Sequence, residues 1–154
     1  MQNQIKTETR LSFIQFVFSS FFSDIDLEDE IINFENYFYK LPIISNEKNK
    51  KILINFNKNY FKKLAINYNK FVKNNDIENL INSYIQFERK FSKWEIINKT
   101  ILLCILSEIE LTKKDKVKIL LNDYFNISKS LINKKELGML NAITDKYLNE
   151  KKII

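Results

Sequence analysis

The stretch SKWEIINKTILLCILSEIEL, residues 92–111, decides the fold of this chain. It opens with Ser92 and Glu95, the S-x-x-E spacing of a capping box, which predicts a helix over 93–111. Its middle, residues 101–106, is an unbroken apolar run, and the apolar side chains of the stretch cover most of a helical circumference. A helix that is apolar nearly all round is either a membrane span or the centre of a helical bundle.

The sequence favours the bundle. A membrane span needs about 20 predominantly apolar residues, whereas this run is shorter and is bounded by Lys99 and Glu108. The whole chain has one glycine and one proline, although sheets need turn glycines and phosphate-binding loops need glycine backbone. We therefore predict an all-α fold over a single domain, residues 1–154, with 93–111 as its central helix.

The composition excludes several classes of function. Histidine is absent and Cys104 is the only cysteine, which removes disulfides, nearly all zinc sites and Ser–His or Cys–His catalysis. Cys104 lies in the apolar run and is predicted to be a small core residue. No pair of carboxylates is spaced as an acid–base couple, so we expect neither an enzyme nor a cofactor. The net charge of +6 suits a polyanionic partner.

Capping residues and apolar periodicity predict six more helices around the central one. Residues 1–9 are polar and are predicted to be loose, and Gly138 is predicted to weaken the first turns of the last helix. The predicted helices cover 11–22, 27–41 ended by Pro42, a long segment from a cap at Ser45 to Lys73, 77–90 after a cap at Asp76, a segment begun by Thr112 and Asp115, and a segment after the Asn133–Glu136 cap spacing.

Four segments together resemble one family. Residues 10–18 (RLSFIQFVF), 99–109 (KTILLCILSEI), 118–129 (KILLNDYFNISK) and 140–146 (LNAITDK) follow each other over almost the whole chain. They are similar, in order and spacing, to the A-R-x-x-A-[VL]-Q-A-L-Y, R-A-I-L-R-L-A-x-Y-E-L, K-V-x-I-N-E-A-x-E-L-A-K and V-N-G-V-L-D-K signatures of the bacterial transcription antitermination factor NusB.

The resemblance implies a fold and a set of partners. NusB proteins have about seven helices, and they are cytoplasmic regulators of transcription without enzymatic activity. They bind the single-stranded boxA element of ribosomal-RNA transcripts together with ribosomal protein NusE, within an RNA polymerase antitermination complex. The resemblance implies these partners and no membrane; it leaves open whether the chain forms a homodimer.

The resemblance also implies the candidate residues. Phosphate neutralisation is expected from six cations, and contact with NusE from one aromatic residue and one amide. The expected RNA-binding residues are Lys6, Arg10, Lys118, Lys129, Lys134 and Lys135, and the expected partner-binding residues are Phe18 and Asn98. Any one of the cations is equally well explained as an ordinary solvated side chain.

This chain departs from the family pattern at the places that matter for RNA. The arginine-rich N-terminal segment of the family is here KTETR, residues 6–10. Leu103 replaces an arginine, Asn98 stands where an acidic residue often contacts NusE, and Met139 replaces an aromatic residue near the RNA face. A second hypothesis is therefore a protein-interaction module that keeps the NusB fold and has lost boxA binding.

Overall fold

The computed structural model describes residues 3–38, 42–44, 51–53, 56–86 and 89–153. Within these residues the chain is all-α, as predicted, with seven helices and one short strand pair. The helices are α1 (Asn3–Ser20), α2 (Leu27–Phe38), α3 (Lys58–Asn74), α4 (Ile77–Asn82), α5 (Ile96–Ile109), α6 (Val117–Ser128) and α7 (Lys134–Glu150). The strands β1 (Pro42–Ile44) and β2 (Lys51–Leu53) pair antiparallel, with Pro42 opposite Leu53.

The contacts divide the chain into two compact units, residues 1–66 and 67–154. The first unit holds an aromatic core in which Phe34 stacks on Phe61 with the ring centroids 4.8 Å apart. Phe16 meets Phe61 edge to face at 5.6 Å. The second unit is built on α5, which packs against α6 and α7. The single domain over 1–154 stays a prediction.

The predicted central helix is confirmed by its burial. Eleven of the fourteen residues of α5 are buried, and Leu102, Cys104 and Ile105 have no exposed surface. Burial also raises the pKa of the Cys104 thiol well above its usual range, which suits a core residue rather than a nucleophile. No helix of the described residues is long and apolar enough to cross a membrane.

The start of this helix differs from the prediction. Helix α5 begins at Ile96 rather than Lys93, and residues Phe91–Lys93 form a 3-10 turn. The prediction of a Ser92–Glu95 capping box is wrong, because the helix has no side-chain cap there. The Ser92 N–H donates instead to Glu78 Oε1 at 2.9 Å. The physical reason is Trp94, which is extended and almost fully buried, with its indole N–H donating to the Arg89 carbonyl at 3.2 Å.

The long helix predicted from Ser45 to Lys73 is also wrong in its first part. Residues Lys51–Leu53 are a strand and α3 begins at Lys58, while the Ser45 cap itself lies outside the described residues. The side chain that begins the helix is Asn57, whose Oδ1 accepts from the Tyr60 N–H at 2.8 Å. Asparagine is among the preferred capping residues, so the sequence carried this signal.

Other helix boundaries also differ from the prediction: α1 ends at Ser20 and α5 at Ile109. Helix α1 begins at Asn3, so residues 3–9 of the segment predicted to be loose are helical; the Thr7 hydroxyl donates to the Asn3 carbonyl at 3.1 Å. The Asp76 cap is confirmed, but α4 ends at Asn82 instead of 90. Helix α6 begins at Val117, after a 3-10 turn over Lys114–Lys116.

Two buried polar side chains of α5, Thr100 and Glu108, have hydrogen-bond partners inside the core. The Thr100 hydroxyl donates to the Ile96 carbonyl at 2.8 Å. Glu108 is 2% exposed and accepts a hydrogen bond from the Tyr124 hydroxyl at 2.7 Å, which ties α5 to α6. A buried carboxyl group needs a hydrogen-bond partner, and here that partner lies on the neighbouring helix.

We expect Tyr124→Phe to destabilise the protein by about 1–3 kcal/mol, because it removes a donor from a buried carboxylate. Chemical denaturation followed by circular dichroism measures this loss. An unchanged free energy of unfolding would mean that the Glu108–Tyr124 hydrogen bond contributes nothing.

Helix α7 begins with the predicted capping box. Asn133 Oδ1 accepts from the Glu136 N–H at 2.9 Å, and Glu136 Oε1 accepts from the Asn133 N–H at 3.2 Å. Gly138 follows in the helix interior, exposed, with open space where a Cβ would lie.

We expect Gly138→Ala to stabilise the protein by about 0.5–1 kcal/mol, because alanine loses less conformational freedom in a helix and meets no neighbour here. Thermal unfolding measures the gain. A lower melting temperature would contradict the open space at this position.

Candidate nucleic-acid interface

Two predicted RNA-binding lysines lie at the ends of α6. Lys118 is the second residue of the helix and Lys129 is its C-cap, and both are exposed. They are eleven residues apart, which corresponds to about 16 Å along the helix axis and a rotation of about 20° around it. They therefore lie on one side of α6, where two phosphates of an extended strand can be contacted at once.

Lys134 and Lys135 are the first two residues of α7, and both are exposed. The N-terminus of a helix carries a partial positive charge, so lysines there repel the helix dipole instead of complementing it. The two ammonium groups and the dipole together create a positive field that an anion stabilises. Glu136 lies in the same first turn and offsets part of this field.

Asn98 is buried, with 4% of its surface exposed. Its Nδ2 donates to Glu136 Oε2, which joins the first turns of α5 and α7. Among the described residues, Asn98 Oδ1 is buried and finds no hydrogen-bond donor. The hydrogen bond to Glu136 fixes the amide orientation, because the opposite orientation would place two oxygens against each other.

A cleft of about 660 Å³ lies between the start of α5 and the start of α7. It brings together two of the predicted residues, Asn98 and Lys135, with six other residues. Its lining consists of Arg89, Trp94, Glu95, Asn98, Asn133, Lys135, Glu136 and Met139, so that two cations and two carboxylates face it. This volume lies in the range of small-molecule pockets.

The predicted residues of the first unit have a different environment. Arg10 is 7% exposed and its Nη2 donates to the Tyr60 hydroxyl at 3.2 Å. Lys6 lies about one turn earlier in α1 and is half-buried. The role of these two cations in neutralising phosphate stays a prediction.

Phe18, the predicted partner contact, is half-buried on α1. Its ring centroid is 5.2 Å from that of Phe22, which is 67% exposed. Aromatic surface open to this extent is suited to a protein contact. The role of Phe18 in binding NusE stays a prediction.

Comparison with known proteins gives a consistent result. The chain is similar to NusB over nearly its whole length. It is 21% identical over 145 residues to the transcription antitermination protein NusB of Rickettsia felis, an alignment that covers 94% of this chain and 92% of that protein. The NusB proteins of Rickettsia massiliae and Rickettsia conorii are 20% and 19% identical over the same coverage.

The likeness to NusB is one of low identity and almost complete length. No family model matches the chain, and no solved structure matches it. All three relatives are named as transcription antitermination proteins. The described part of the chain holds no group of three or more side chains that could bind a metal ion.

The sequence carried a signal for the cleft that motif reasoning missed. Trp94 is the only tryptophan of the chain and immediately precedes the central helix. Arg89 is one of only two arginines and stands five residues before it. Neither lies in the segments that resemble NusB, and the hydrogen bond between the Trp94 indole and the Arg89 carbonyl becomes apparent only in three dimensions.

Proposed function

We propose that this chain is an RNA-binding transcription antitermination factor of the NusB type. It acts in the cytoplasm, without a cofactor or catalytic step, and binds boxA-type single-stranded RNA together with ribosomal protein NusE in an RNA polymerase antitermination complex. The observation that carries the proposal is the similarity to NusB proteins along 94% of the chain and 92% of the relative. An all-α fold around a buried central helix supports it.

The exposed lysines of the second unit supply the RNA contact in this proposal. Lys118, Lys129, Lys134 and Lys135 present ammonium groups to solvent, where they displace counterions from phosphate. Lysine neutralises phosphate as a point charge and lacks the bidentate fork of arginine. We therefore expect weak RNA binding by the chain alone and tighter binding when NusE adds contacts.

A second candidate function is a protein-interaction module that keeps the fold and does not bind boxA. The burial of Arg10 favours it, because the N-terminal segment then offers RNA only the half-buried Lys6. The two candidates differ on whether the chain binds boxA RNA.

Co-elution distinguishes the two candidate functions. The chain, the NusE of the same organism and a boxA RNA are mixed in pairs and all together, and the mass of each complex is measured by size-exclusion chromatography with light scattering. The proposal predicts a ternary complex that forms more completely than either RNA-containing pair. A complex of the two proteins that excludes RNA would favour the interaction module, and no complex at all would contradict the proposal. The mass of the chain alone reports whether it is a homodimer.

A further inference from the structure

The positive charge of this chain is concentrated in one stretch of the sequence. The residues between Glu47 and Asp76 include eight of the chain's 25 cations and none of its 19 acids, so the other residues carry 17 cations against 19 acids. The net charge of +6 therefore comes from this stretch alone. None of the six cations predicted to bind RNA lies in it. A strong local field of one sign attracts a partner of the opposite sign.

Helix α3 presents five of these lysines to solvent. They are Lys58, Lys62, Lys63, Lys70 and Lys73, which together form the α3 lysine face, and all are exposed. The opposite side of the helix is closed, because Phe61, Leu64 and Phe71 are buried in the core. The sequence of α3 contains no acidic residue, so no carboxylate one turn away along the helix offsets these charges.

Four of the lysines form two rows along the helix. At about 100° per residue, Lys62 and Lys73 lie about 20° apart around the axis and form the first row. Lys63 and Lys70, also about 20° apart, form the second row, which is about 80° away from the first. Ile66, which is 42% exposed, lies between the rows. The helix therefore presents two lines of positive charge on either side of an uncharged strip.

Two rows of cations are complementary to two rows of phosphates. A single strand offers one row, whereas the groove of a double helix is bounded by two. Single strands also bind by stacking their bases on aromatic side chains, but Phe61, Tyr68 and Phe71 of α3 are buried. Lysine neutralises phosphate as a point charge and does not need access to a base. The face therefore fits a duplex better than a single strand.

An anionic membrane surface is the other extended polyanion that lysines attract. A helix that lies in a membrane surface buries its apolar face among the lipids. The apolar face of α3 is already buried in the protein, and only the side chain of Ile66 is apolar between the two rows. The observations therefore favour nucleic acid over lipid.

We propose that the α3 lysine face is a second interaction surface, which binds the phosphate backbones of a double-stranded nucleic acid without regard to sequence. Duplex RNA and duplex DNA share this chemistry. The face contains none of the residues proposed to bind boxA, so this contact goes beyond the proposed function and does not depend on it.

Fluorescence anisotropy of labelled nucleic acids tests the proposal with the full chain. The probes are an RNA duplex of about 16 base pairs, a DNA duplex of the same length and one of the RNA strands alone. Cosedimentation with vesicles of phosphatidylcholine and phosphatidylserine tests the membrane alternative. We expect the chain to bind duplex more tightly than the single strand, and the tighter of the two duplexes identifies the source of the phosphates.

The two rows are removed separately. Lys62→Gln with Lys73→Gln removes the first row, and Lys63→Gln with Lys70→Gln removes the second. Each double variant should lower the duplex affinity about 10- to 100-fold at low salt and reduce the salt slope in magnitude by about 1.8, since each phosphate contact contributes about 0.9. Glutamine is as good a helix former as lysine, and an unchanged melting temperature verifies the fold.

Lys113→Gln with Lys114→Gln is the matched control, because it removes the same charge from two exposed lysines outside α3. It should keep most of the duplex affinity. The affinity for boxA RNA with NusE present is measured on the same variants and should change no more in the two α3 variants than in the control. This comparison separates the α3 lysine face from the proposed boxA site.

Four outcomes would overturn the inference. The absence of duplex binding at low salt would remove the partner, and equal losses in the control and the α3 variants would reduce the effect to overall charge. A single strand bound as tightly as the duplex, with only one row required, would replace the two phosphate rows by one. Binding to vesicles instead of duplex, lost in the α3 variants, would assign the face to a membrane. In each case boxA binding that persists leaves the proposed function standing.

Discussion

Replacing Ile105 by alanine should reduce the free energy of unfolding by about 2–5 kcal/mol. Ile105 has no exposed surface and lies in the middle of the helix on which the second unit is built. The substitution removes apolar contacts and leaves a cavity that the surrounding helices can fill only in part. Leu102→Ala should have an effect of the same size, because Leu102 is equally buried. Urea denaturation followed by circular dichroism measures both.

Ile119→Ala is the matched control. It makes the same chemical change on α6, at a side chain that is 59% exposed, and should cost less than about 0.5 kcal/mol. Equal losses at Ile105 and Ile119 would mean that α5 is not the centre of the unit.

The second large effect is expected on RNA binding. Changing Lys134 and Lys135 together to glutamate removes two phosphate contacts and replaces them with repulsion, so the affinity for single-stranded RNA should fall more than tenfold at low salt. The slope of log affinity against log salt should decrease in magnitude by about 1.4, since each lost phosphate contact contributes about 0.7 for a single strand. Glutamate in a first helical turn complements the helix dipole, so the loss cannot be attributed to a weakened α7.

Lys113→Glu with Lys114→Glu provides the control for net charge. Both lysines are exposed before α6, and the pair changes the charge of the protein by the same amount. The control should keep most of the RNA affinity and the salt slope. If both double variants lose affinity equally, RNA binding follows the overall charge of +6 and not a site at α7.

Burial and local capping account for what could be predicted from the sequence. The apolar run of α5 predicts burial, and Leu102 and Ile105 are fully buried. The Asn133–Glu136 capping box formed because both of its partners lie within one turn of the same helix. Such features depend on neighbours a few residues away, and local sequence is sufficient for them.

The predictions that failed did so because of tertiary contacts. Ser92 and Glu95 have the spacing of a cap, but the burial of Trp94 keeps the chain extended there and gives the Ser92 N–H to Glu78. Arg10 looks like a surface cation in the sequence and is instead 7% exposed, with Tyr60 as a partner 50 residues away. Each of these outcomes depends on a residue that no local pattern could supply.

The cleft shows the same limit for the site. Asn98 and Lys135 were each selected as separate contacts, one for protein and one for RNA. Their meeting in one cleft depends on the crossing of α5 and α7 and on the hydrogen bond between Asn98 and Glu136. The sequence was sufficient to predict individual candidate residues, whereas their arrangement became known only from the structure.

The affinity of this chain for boxA RNA, measured with NusE present and against a scrambled RNA of the same composition, tests the central proposal most directly. A titration at several salt concentrations separates the sequence-dependent part from the electrostatic part. The proposal predicts that boxA binds more tightly than the scrambled RNA at every salt concentration, and that omitting NusE weakens boxA binding. Equal affinity for the two RNAs, unaffected by NusE, would contradict it.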